Sequence, residues 1–178
     1  MPIGPLMIEH RLIERAIEQM RKELARADAS KWFDVRFIDS WTDFMRTYAD
    51  QVHHGKEERI LFHDLGTRPL SPTLKAMLAE LIAEHAKARE TIAALVSARD
   101  RYGDGDNAAF ADIMTNGKAL VDLYPAHIRK EDQQFFIPVM EYFTQEEKDG
   151  MLKSFREFDE NVIHNHYRSV VESMEKRP

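Results

Sequence analysis

The 178-residue chain is 43 % apolar and 31 % charged, the balance of a soluble globular protein with one sizeable core. A net charge of -6 without a basic block argues against nucleic acid as a partner, and no apolar run approaches the roughly 18–20 residues of a membrane span. The lack of cysteine excludes disulfides, iron–sulfur clusters and thiolate zinc sites, so any metal must be held by histidine and carboxylate. The opening residues MPIGPLMIEHRLIERA lack the basic-then-apolar layout of a signal peptide, and a cytoplasmic location is expected.

Helical spacing of apolar residues dominates the chain, and strand-like alternation is almost absent. A first helix is expected from about Leu6 to Ala27, with Leu6, Ile13, Ile17, Met20 and Leu24 on one stripe. DASKW ends it, and a second helix runs from about Trp32 to Leu65, with Phe37, Trp41, Phe44 and Tyr48 in its buried face. After GTRPLSP, Ser71 and Pro72 form an N-cap and first-turn pair for a third helix reaching about Asp100. RYGDGDN is a turn, and a fourth helix covers about Asn107 to Phe143, with Pro125 as a kink. TQEE at 144–147 is a capping box for a fifth helix ending near Glu175. The expected fold is all-α: an up-down-up-down four-helix bundle with an additional C-terminal helix. It reads as one domain over 1–178, with the core bundle at about 5–143 and the appended helix at about 144–175.

One pattern occurs twice. HHGKEERILF at 53–62 aligns with HIRKEDQQFF at 127–136, pairing His53 with His127, Lys56 with Lys130, Glu57 with Glu131 and Phe62 with Phe136. LMIEHRLIERAI at 6–17 aligns with LIAEHAKARETI at 81–92, pairing Glu9 with Glu84 and His10 with His85. Counting residues from each turn places the four histidines within roughly 9 Å of one level. His53 and Glu57, like His127 and Glu131, are spaced i,i+4 and share a helix face. Four imidazoles and two carboxylates then form an inner shell for two metal ions, with the carboxylates bridging. The ligand set is His10, His53, Glu57, His85, His127 and Glu131; no catalytic residue is assigned.

Other groups are given lesser roles. His54 and Glu58 are also i,i+4 but rotated about 100° from the first pair. Only one pair can point straight inward, and the repeat selects His53 and Glu57, leaving Glu58 as an additional ligand or a hydrogen-bond acceptor. Glu14 can touch metal or orient an imidazole. Arg89 pairs with a carboxylate. Tyr124 packs, or hydrogen-bonds a bound ligand. His63 is solvent-exposed, Lys56 and Lys130 belong to solvated faces, and His164 and His166 are structural or surface residues.

With E-H at 9–10 and 84–85, and H-x-x-x-E at 53–57 and 127–131 followed by RILF and FFIP, the chain resembles the hemerythrin-like family in its H-H-E cation-binding form, over about 5–143. The resemblance implies a four-helix bundle around two iron ions, with a bridging oxo or hydroxo group, and binding of O2, NO or peroxide. Zinc or manganese also suits such donors. Oxygen carriers of this family have a second histidine on the third helix, five in all. Here Leu81 and Arg89 stand one turn from His85, which implies an altered coordination number or Glu14 filling the gap. Imidazoles outnumber carboxylates, unlike the ferritin-like di-iron set. Fewer anionic ligands stabilise high-valent iron less, which favours binding over substrate oxidation. The leading reading is therefore a di-iron protein that binds or senses O2 or NO, or handles iron. The alternatives are a peroxide- or NO-reducing or iron-donating repair enzyme, and a signalling bundle with structural metal. In the last, Phe155, Phe158, Val162 and Tyr167 of the appended helix form a partner or homodimer surface, or else pack on the first four helices.

Overall fold

The computed structural model describes the backbone of residues 1–175 and the side chains of residues 1–162. His164, His166 and Tyr167 therefore fall outside the described side chains. Five long helical segments and no strand are present among the described residues. They are α1 (Ile3–Ser30), α2 (35–65), α3 (Pro72–Gly103), α4 (109–142) and α5 (Gln145–Glu175).

Local chemistry sets the boundaries. Lys31 takes a left-handed conformation at φ 53° and ends α1. The Asp34 side chain accepts from the Arg36 N–H, so α2 starts three residues later than the apolar pattern indicates, and Trp32 is left half-exposed. The Ser71 hydroxyl accepts from the Leu74 N–H with Pro72 in the first turn, as expected. Gly105, at φ 98°, supplies the turn between α3 and α4. Thr144 and Glu147 exchange side-chain-to-backbone hydrogen bonds of 2.7 and 3.2 Å, the capping box that opens α5.

Two helices depart from α geometry. Within α2, Met45–His54 and Glu57–Phe62 are π-helical; within α4, Glu131–Phe135 is. The α-helix continues through Pro125, so the departure in α4 lies beyond the proline where a kink is expected. The buried face of α2 differs from the expected one: Ile38, Trp41, Met45 and Ala49 are buried, while of the expected residues only Trp41 is, and Phe37, Phe44 and Tyr48 are partly so.

α1 and α3 each contact both α2 and α4. Their apolar stripes form two separate clusters. One contains Ile13, Ile17, Met20, Trp41, Ile92, Leu120 and Tyr124. The other contains Leu6, Phe62, Leu81, Phe135, Phe136 and Phe155. A buried polar layer of histidine and glutamate lies in the same helices between these positions. Phe155 of α5 joins the second cluster, so the expected apolar face of that helix is at least partly spent on its own chain.

Leu120 is fully buried in the first cluster, two turns before His127 on α4. Leu120→Ala is expected to destabilise the fold by about 2–5 kcal/mol through lost burial and a cavity. Urea unfolding should show a lower midpoint with an unchanged slope.

Candidate metal centre

The six expected residues do meet. His10, His53, Glu57 and Glu131 form one group of inward donor atoms, each residue buried. His54, His85 and His127 form a second. The two carboxylates connect the groups. Glu57 lies 3.4 Å from His53 Nε2 and 3.5 Å from His85 Nε2. Glu131 lies 3.2 Å from His10 Nε2 and 3.3 Å from His127 Nε2.

His54 corrects the sequence reading. It is buried, its ring stacks on His85 at 3.8 Å, and it brings a fifth imidazole to the group of residues that could hold metal, from α2 rather than α3. Both His53 and His54 reach the centre because the backbone here is π-helical. A wider turn brings successive side chains closer in angle than α geometry allows. The sequence did carry a signal: Ile128 stands at the matching position of the repeat and is also buried. Glu14 does not fill a gap. It is half-exposed and pairs with Arg11 at 2.9 Å.

Each imidazole is held from behind. The Nδ1 atom meets Asp132 in His10 (2.7 Å), Glu9 in His53 (2.9 Å) and Asp50 in His54 (3.3 Å). It meets Glu58 in His85 and Glu84 in His127, both at 2.8 Å. A carboxylate accepts only from an N–H, so Nδ1 carries a proton and Nε2 points inward, with a free lone pair wherever the ring is neutral.

The repeat now has a physical meaning. Glu9 and Glu84 orient the histidine of the next helix, and Lys56 and Lys130 hold those same glutamates. Glu58 and Asp132 orient the histidine of the opposite half. Phe62 and Phe136 stack on those same rings, at 5.8 and 5.7 Å. Arg89 donates to both Asp50 and Glu58 at 2.7 Å, the carboxylate pairing expected for it. Lys56 is not on a solvated face; it is fully buried between Glu9 and Asp159. Lys130 is also largely buried, on Glu80 and Glu84. His63 is exposed as expected. Tyr124 is packed, with its ring parallel to His54 at 6.3 Å and its hydroxyl unpartnered.

The inner atoms need a cation. His10 Nε2, His53 Nε2 and all four carboxylate oxygens of Glu57 and Glu131 are buried without a hydrogen-bond partner. His85 Nε2 and His127 Nε2 face each other at 3.1 Å. Leaving so many buried acceptors unpaired is costly, and a positive ion satisfies them together. Burial pushes His53 and His54 well below the usual imidazole range, towards the neutral, ligating form. Burial and the adjacent Glu131 push the Glu57 carboxyl well up. Burial also works to raise Glu131, but His127 and His10 hold it down. Burial opposes charge on His10, yet Asp132 and Glu131 raise it to about 9.

The hemerythrin HHE cation-binding domain matches residues 1–137, most of the chain. The chain belongs to the hemerythrin family. No match was found among curated proteins or solved structures. The hemerythrin domain is a cation-binding one, and the residues gathered here are groups that can hold metal. The matched region stops before α5, so that helix lies outside the family domain.

Two outcomes are expected. His54→Ala lowers bound metal per chain as strongly as His53→Ala does, whereas Glu14→Ala leaves it unchanged; elemental analysis of purified variants checks this. Metal must displace the protons held by His10 and Glu57, so the apparent affinity should weaken as pH falls below about 9, with protons released on loading. Metal titrations across pH, with calorimetry in buffers of different ionisation enthalpy, check the sign.

Proposed function

We propose that this protein holds two iron ions within an up-down-up-down four-helix bundle and binds or senses O2 or NO there. The observation that carries the reading is the division of every imidazole into two ends. Nδ1 is anchored on a carboxylate, while Nε2 of His10, His53, His85 and His127 faces two shared, unpartnered glutamates and His54 joins the group of His85 and His127. In this reading His10 and His53 hold one ion, His54, His85 and His127 hold the other, and Glu57 and Glu131 span both. The division of imidazoles is uneven, two in one group and three in the other, and an ion held by the poorer group would be the one to take a small ligand.

When bound, the two irons supply the electrons and the coordination positions that diatomic gases require. The chain's own residues supply the rest. Asp132, Glu9, Asp50, Glu58 and Glu84 fix ring orientation, so little rearrangement accompanies binding. Phe62 and Phe136 stack on His85 and His10 and shield the layer from water on one side; Ile13, Ala88 and Ile128 lie in the apolar cluster on the other. Five neutral imidazoles against two carboxylates give a centre poorer in negative charge than a four-carboxylate one. This favours reversible binding over oxidation of an organic substrate. Imidazole and carboxylate also accept zinc or manganese, so metal identity is part of the test.

The test is purification without oxygen, metal counting, and an optical spectrum before and after air. Two irons per chain are expected, with new near-ultraviolet and visible bands that reverse when oxygen is removed, or corresponding bands with NO. Irreversible oxidation would favour peroxide or NO reduction or iron handling. Zinc alone, or no metal, would contradict the reading.

A further inference from the structure

The two halves of the repeat differ at one point of their charge networks. In the second half, Lys130 holds Glu84 with help from Glu80, one turn earlier on α3. The offset of 75 residues between α3 and α1 places Pro5 where Glu80 would be matched. The first half thus lacks a local acid beside Lys56. The missing carboxylate comes instead from Asp159 of α5, 2.8 Å from Lys56 Nζ.

This is a built contact. Lys56 is fully buried, and Asp159 is roughly one-third exposed. Next to it, Phe158 lies against Gly55, where a Cβ would come within 2.7 Å of the Phe158 ring. Glycine permits that approach beside the ligand pair His53 and His54. Arg59 also sits over the Phe158 ring, 5.7 Å from its centroid. α5 contacts the π-helical stretches of α2 that carry these residues.

We propose that Asp159 is a positioning residue for the metal centre: through Lys56 and Glu9 it fixes the His53 ring, and α5 is thereby coupled to the ion held by His10 and His53. This rests on the two-ion reading above. A buried lysine with one acid partner is free to draw Glu9 away from His53 Nδ1. With two partners it bridges them, and Glu9 keeps one oxygen on Lys56 and the other on His53. Coupling of this kind is reciprocal, so a loaded centre holds α5 down as firmly as α5 holds the centre in order. α5 lies outside the matched family domain, which makes it an element added to a metal site that it can report on.

The full chain is titrated with cobalt(II), followed by visible absorption, as wild type, Asp159→Asn, Asp159→Glu and Leu120→Ala. Hydrogen exchange of residues 151–159 is measured with and without metal. Asp159→Asn should weaken one of the two binding events by about 10–100-fold and leave the other within about 2-fold. Asp159→Glu should restore it, and Leu120→Ala, a core change away from Lys56 and Glu9, should not weaken one event selectively. Loading should slow exchange over 151–159 in the wild type and lose that effect in Asp159→Asn. Two unchanged events in Asp159→Asn, equal weakening of both, or no rescue by glutamate would overturn the inference while the two-ion reading stands. A wild type that takes up no cobalt would overturn both.

Discussion

The structure turns on the hydrogen bond between each buried imidazole and a carboxylate behind it. Without that bond a histidine in an apolar helix layer is a ring with two equivalent faces and an undecided proton. With it, the Nδ1 proton is placed, the ring is fixed, and the other nitrogen is turned into the polar layer, in four of the five rings towards the two shared glutamates. Five such bonds, from Asp132, Glu9, Asp50, Glu58 and Glu84, draw acids from α1 to α4 into one network. The acids are tied in turn to Arg11, Lys56, Arg89 and Lys130. Cations on the outside thus hold acids, acids hold imidazoles, and the imidazoles and glutamates at the centre are left facing one another.

That order of layers explains the energetics. A polar layer between two apolar clusters is expensive unless every group in it is paired. The outer groups are paired within the chain. The innermost atoms are not, and they include both oxygens of two buried glutamates. A cation at the centre would complete the network, and folding and metal uptake would then be parts of one equilibrium.

Much of this was readable in the sequence. Helical periodicity placed the five segments, and the i,i+4 spacing within a twofold repeat singled out His10, His53, Glu57, His85, His127 and Glu131. His54 was missed because its exclusion assumed 100° between neighbouring side chains, and the π-helical backbone of α2 does not keep that angle. No residue pattern in HHGKEERILF announces a π turn, since the local sequence is compatible with an ordinary α-helix. Lys56 was misread for a different reason. A lysine on an amphipathic helix normally marks water, and only the packing of α5, about 100 residues away, shows it buried on Asp159. Lys130 recurring at the same place in the repeat was the one hint that these lysines do structural duty. Contacts between distant segments are what a single sequence conveys least, and both corrections arise there.

The most direct test is an anomalous difference map, at the iron edge, from crystals of the protein loaded with iron in the absence of oxygen. The account predicts two separate peaks in the polar layer. One lies against Nε2 of His10 and His53, the other against Nε2 of His54, His85 and His127, and Glu57 and Glu131 each reach both. A single peak, or peaks with His54 turned away from them, would contradict the central claim that five anchored imidazoles and two shared carboxylates build one two-ion site.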